Sequence, residues 1–295
     1  MKTQKILGQV GLLILIFLVS ATRVVAEQNL QTVLENLQSK DLYTRMEAFR
    51  EISDISGWGD SLGTPTADYF QIKTKYKMDA RVKKALFKLA DTELKESKQL
   101  HLRLREEQRE GYGDYKHALF STIGNMRELE GVPYLFSYGT PDILKKVADV
   151  GEMVLPQVLN KLYHGKGALD EYAATVVLAS LLKKEPHLKK YSLKSKQEIK
   201  KALIYVANET NDMDATRVAV YGFKELAVQG DAETLRMVEK LTGDNRTYVI
   251  SGVPGGDKTT YPVREEAQKV LGELKAKGIY KPKLQSDTTQ QNKIQ

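Results

Sequence analysis

Small residues set the rhythm of this chain. A basic or polar residue is followed three positions later by a small one, and an aliphatic residue often stands one turn beyond. Arg45-Met46-Glu47-Ala48 leads to Ile52, and Val82-Lys83-Lys84-Ala85 leads to Leu89. Glu171-Tyr172-Ala173-Ala174 leads to Leu178, and Arg264-Glu265-Glu266-Ala267 to Leu271. Lys145-Lys146-Val147-Ala148 repeats the first part, while Arg217 with Val220 and Tyr115 with Ala118 are looser versions. Spacings of three and four put the small and aliphatic positions on one helix face, where a neighbouring helix can approach closely. Asp41, Asp79, Asp114, Asp142, Asp170 and Asp214 stand shortly before these predicted helices. An Asp there accepts hydrogen bonds from free first-turn N–H groups and complements the helix dipole. Further helices are predicted ahead of these, over 30–37, 132–136, 154–162, 199–206 and 234–241. Pro133 and Pro156 fall early in two of them, where a proline costs little.

Two stretches break the rhythm. Residues 56–77 hold Gly57, Trp58, Gly59, Gly63, Pro65, Tyr69, Phe70 and Tyr76. Long loops of this kind are often functional. Trp58 is the single tryptophan; it either anchors a partner or folds back over the edge of the core. Residues 243–262 alternate β-prone and turn-prone segments, which predicts a small β-hairpin insertion near 246–263. Gly252 to Thr259 superficially resembles a phosphate loop, but Asp257 stands where a Gly must precede the Lys, and its charge repels phosphate.

Helix, short turn and Asp-led helix recur from about residue 30 to 277. In Asp41 to Ile52, in Val154-Leu155-Pro156-Gln157-Val158-Leu159 and in Pro262-Val263-Arg264-Glu265-Glu266-Ala267 the chain resembles the HEAT-repeat family. The resemblance implies an all-α fold, a HEAT-like α-solenoid of stacked antiparallel helix pairs whose second helices line a concave side. It also implies a binding scaffold. The spacing is irregular: 36 residues from Arg45 to Arg81, and 47 from Arg217 to Arg264. An irregular helical bundle with a similar pattern is the alternative.

Composition adds the compartment. Lys2 and Lys5 precede an apolar run, Val10 to Val19, and Val24-Val25-Ala26 comes before Glu27. That is the plan of a cleaved secretory signal, so 1–26 is expected to be a signal peptide, 27–279 the HEAT-like repeat domain and 280–295 a disordered polar tail. The mature protein is then expected to be secreted or periplasmic, without a transmembrane span. The chain contains no cysteine. Disulfides, a thiol nucleophile and thiolate metal ligands are thereby excluded. Of 45 basic residues three fall in the signal, leaving 42 against 38 acidic and a net charge of +4. Bulk charge therefore does not mark a nucleic-acid binder.

Candidate chemistry is sparse. The four histidines are not at metal-ligand spacing, and no HExxH or GxSxG occurs. No cofactor, metal site or catalytic residue is assigned, and an enzyme is the less favoured class. Residues 89–110 are densely charged and read as one or two exposed helices. Across 183–201, Lys183, Lys184, Lys189, Lys190, Lys194, Lys196, Lys200 and Lys201 face two glutamates. Such a run is either a solvated connection or a grip on an anionic surface, for which Lys183, Lys184, Lys189 and Lys190 are the candidates. Arg45, Arg217 and Arg264 lead repeat helices and, with Trp58, are the candidate partner-binding residues. The leading expectation is a non-enzymatic scaffold in the cell envelope or extracellular space that engages a protein or peptide on its concave face. The alternatives are an enzyme or enzyme accessory built on 56–77 and 243–262, and a binder of anionic envelope surfaces through 183–201.

Overall fold

The computed structural model describes residues 27–54, 71–73, 76, 79–184, 191–251 and 256–280. The signal-like segment, Trp58 with most of the first insertion, Lys189, Lys190 and the tail from 281 lie outside them. The described residues are mostly helical. Helix α1 covers 27–36, and α2 is Leu42–Ile52. Next come α3 Ala80–Arg103, α4 Glu106–Met126 and α5 Val132–Tyr138. Then follow α6 Pro141–Val147, α7 Leu155–His164, α8 Ala168–Lys184 and α9 Leu193–Glu209. The last are α10 Met213–Val228, α11 Ala232–Leu241 and α12 Pro262–Ala276. Among the described residues no helix is long and apolar enough to cross a membrane.

Two strand pairs interrupt the helices. Strands β3 (Tyr248–Ile250) and β4 (Lys258–Thr260) form the expected antiparallel hairpin between α11 and α12, with Val249 opposite Thr259. The other pair was not expected. Strands β1 (Ser53–Asp54) and β2 (Gln71–Ile72) close the ends of the first insertion, with Ser53 opposite Ile72.

The chain divides into two compact units, one ending at Tyr138 and one beginning at Gly139. In the first, α3 packs on α4 and both pack on α5. Phe49 of α2 meets Tyr115 of α4 edge to face, with ring centres 5.7 Å apart. The charged 89–110 stretch proves to be the second half of α3, a bend, and the start of α4. It is not wholly exposed, because Leu89, Ala90 and Glu93 are buried.

In the second unit the even-numbered helices pack in succession, α6 on α8, α8 on α10 and α10 on α12. The odd-numbered helices pair with them, α7 with α8, α9 with α10 and α11 with α12. Helix α8 explains the arrangement. Every residue from Ala173 to Leu182 is buried, so this helix has no wet face over nearly three turns. Its small residues let α10 come close. On α10 itself Gly222 does the same toward α9: a Cβ there would collide with the Leu203 side chain. Aspartates cap the starts. Asp212 accepts from the N–H groups of Asp214 and Ala215, and Asp231 from those of Glu233 and Thr234.

Candidate functional site

The arginines singled out in the sequence have different fates. Arg45 faces inward from α2 and is fully buried. Its Nε donates to Glu93 Oε1 at 2.7 Å, while the other guanidinium nitrogens donate to Ser39 O, Lys40 O and Glu96 Oε2. Glu93 also accepts from the hydroxyls of Tyr112 (2.9 Å) and Tyr115 (3.1 Å). Burial works against the Arg45 charge, but the Glu93 carboxylate outweighs it and holds the Arg45 pKa above its ordinary value. Burial and the same carboxylate push both tyrosines well up. This is a closed internal network. A partner has no access to Arg45, because the helix face that carries the repeat pattern here is the core face.

Arg264 also works internally. It donates to Asp244 O at 2.9 Å and to the Asn245 side chain, and it lies over the Tyr261 ring at 4.1 Å. It fastens the base of the β3–β4 hairpin. Arg217 alone stands on an accessible face, half-buried and 3.2 Å from Asp214. Lys184 donates to Asp149 at 2.5 Å and to Lys145 O at 2.9 Å. Lys183 is exposed, and no ion-pair partner for it stands among the described residues.

The face made by the even-numbered helices of the second unit carries two hollows. The first, of about 430 Å³, is lined from α6 by Pro141 and Lys145, from α8 by Tyr172, Val176, Ala179, Ser180 and Lys183, and from α10 by Val218, Tyr221, Lys224 and Glu225. The α8 residues form its floor because they are the part of the all-buried helix that looks toward α10. Ser180 Oγ is already committed, donating to Val176 O at 2.7 Å. The second hollow, of about 470 Å³, lies between Arg217, the hairpin residues Tyr248, Ile250 and Thr260, and Pro262, Glu265, Glu266 and Lys269. Tyr221 stands between the two. It lines the first hollow, hydrogen-bonds Glu266 and has the Lys269 ammonium 6.0 Å from its ring centre. Burial, reinforced by Glu266, pushes the Tyr221 pKa up to about 12. Burial and Asp214 raise those of Tyr172 and Tyr248, whose hydroxyl lies 3.3 Å from Asp214.

The surface is therefore aromatic and aliphatic, with phenols that stay protonated donors at neutral pH. Lys145 and Lys183 add positive charge at the α6–α8 end. Tyr248 (41% exposed), Val249 (61%) and Ile250 (45%) add an apolar ridge at the other. Such a surface suits binding: aromatic rings give large contact area at little entropic cost, and lysines select for charge. Among the described residues no three His, Cys, Asp or Glu side chains come together as a metal site requires.

Sequence reasoning missed Tyr172, Val218 and Tyr221, although each lies in or beside a repeat motif. Their role comes from meeting across three helices, and no spacing within one segment signals that. Compared with protein-family models, curated proteins and solved structures, the chain matches none.

Proposed function

We propose that this protein is a non-enzymatic binding scaffold of the cell envelope or extracellular space. On this reading the second unit is a HEAT-like solenoid, the even-numbered helices are its concave side, and a protein or peptide segment lies across them. The observation that carries the proposal is the continuous face from Lys145 and Lys183 through Tyr172, Val218 and Tyr221 to Tyr248 and Ile250. Stacked helix pairs expose such a surface as a consequence of their packing. The signal-like N-terminus supports export.

The anionic-surface reading finds less support. Lys184 is held by Asp149, and Lys200 by Asp231 and Glu233, so part of the lysine run is spent inside the fold. The insertion-based enzyme reading draws on 56–77, most of which lies outside the described residues.

The test is site-specific photo-crosslinking in native cells. A photoreactive residue replaces Tyr221 in one variant and Tyr163 in another; Tyr163 is exposed on α7, in the other row of helices. A protein adduct that forms from position 221 and not from 163 is the expected result. Adducts from neither, or from both alike, would sink the scaffold reading of this face.

A further inference from the structure

We propose that the occupant of this face is an extended peptide segment of about six to nine residues that carries acidic side chains at one end. Lys145 and Lys183 hold its carboxylates, and the walls around Tyr221 hold its apolar side chains. This deepens the scaffold reading and rests on it.

Length follows from the row of helices. Packed helices lie roughly 8–10 Å apart, so crossing from α8 to α12 takes about 20 Å, and starting at α6 takes about 30 Å. An extended chain rises about 3.3 Å per residue. Extension follows from Tyr221. It lines the first hollow and contacts Glu266 and Lys269 of the second, and a strand sends residues two apart to the same side about 7 Å from each other, so such a pair can straddle the ring. A helix, roughly 10–12 Å across, would ride above the ring and fill neither hollow. The floor of the first hollow ends in the short side chains of Ala179 and Ser180, so a peptide backbone can settle close to α8.

Direction follows from charge. At the α6–α8 end Lys145 and Lys183 are exposed, and neither has a carboxylate partner among the described residues. Toward α12 the cations are matched: Lys224 pairs with Glu273, Arg217 with Asp214 at 3.2 Å, and Lys269 with Glu266 at 3.3 Å. Glu225 stands on the α10 wall of the first hollow, across from the two lysines, and Glu265 lines the second. The surplus positive charge thus lies at one end only, and a ligand acidic at that end and neutral beyond it is complementary to the whole face.

The test pans a random octapeptide display library against the full mature chain. Enriched sequences should place one or two acidic residues beside aliphatic or aromatic ones. The best such peptide, made synthetically, should bind roughly tenfold more weakly to Lys183→Glu, with a further loss in the Lys145→Glu double variant, as close interfacial charge pairs lose. Tyr221→Ala should weaken it as well. Exchanging the peptide's glutamates for lysines should restore binding to the double variant and abolish it with the parent. Both lysines are exposed, so helicity by circular dichroism should not change. Enrichment of basic or neutral peptides, or affinity indifferent to Lys183→Glu, overturns the proposal. So does displacement of the peptide by phosphatidylglycerol vesicles that bind through the same lysines, since the face would then be a lipid site. Protein adducts from position 221 alongside neutral or basic library hits would remove only the acidic ligand and leave the scaffold. Failure of both experiments removes both.

Discussion

The two units handle charge in opposite ways. The first buries an arginine and a glutamate at the centre of its packing and satisfies them with two tyrosine hydroxyls and two backbone carbonyls. The second keeps its central helix uncharged from Ala173 to Leu182 and sets ion pairs such as Lys200 with Asp231 nearer the surface. A buried ion pair gives little net stability, because desolvation consumes most of the attraction, yet it penalises any arrangement that strands one partner. An apolar helix packs with larger gain and less directional demand. The first unit is thus held in one register by chemistry, and the second by shape. The second carries the face proposed above as the binding surface.

Mutations can break this contrast, in order of expected effect. Glu93→Ala strands the Arg45 charge and leaves the Tyr112 and Tyr115 hydroxyls without their acceptor; about 3–5 kcal/mol should be lost in chemical denaturation. Adding Arg45→Met should return part of that loss, and a double variant no better than the single one would show that the network is not a charge pair in effect. Leu178→Ala, in the fully buried stretch of α8, should cost about 3 kcal/mol with no such partner to rescue it. Asp231→Asn, which weakens a cap and an ion pair, should cost about 1 kcal/mol at neutral pH. Burial alone would raise the Asp231 pKa, but Lys200 and the Thr234 N–H outweigh it and hold it below the ordinary 3.8. The carboxylate's stabilisation is therefore present above that value and lost as the pH falls through the folded-state value. Acid titration of stability should be shallower in Asp231→Asn than in the parent, and identical slopes would remove Asp231 from the account. Lys194→Ala breaks a 3.9 Å pair with Glu198 on an open surface and should change stability by less than about 0.5 kcal/mol.

Helix content was legible because small and aliphatic residues alternate at helical spacing, and the hairpin because β-prone and turn residues cluster. Helix starts were half legible. Asp41 and Asp79 are N-caps, as the pattern suggested. Asp142, Asp170 and Asp214 fall inside their helices, in first turns, and Asp114 lies within α4. An aspartate serves either position, so its presence locates a helix start only to within a turn. No repeat motif follows Asp231, so the sequence pattern does not mark it as a cap. Glu93 was illegible for a firmer reason. It lies among Asp91, Lys95, Glu96 and Lys98 in a stretch that reads as solvated, and Arg45, 48 residues away, together with the Tyr112 and Tyr115 hydroxyls makes its burial tolerable. The candidate site has the same character: single residues were visible, but their convergence on one face was not.

The neighbour-only packing of the second unit has a consequence in time. None of its main helix contacts reaches past the next helix but one. The entropic cost of loop closure is thus met in small steps, and ordering can spread from any adjacent pair. Such chains refold on the scale of microseconds to milliseconds. With no cysteine in the sequence, no oxidant or disulfide exchange enters the rate. Helix packing in this unit should then be complete long before slow steps such as proline isomerisation matter, which stopped-flow refolding would register as a dominant fast phase indifferent to redox buffer.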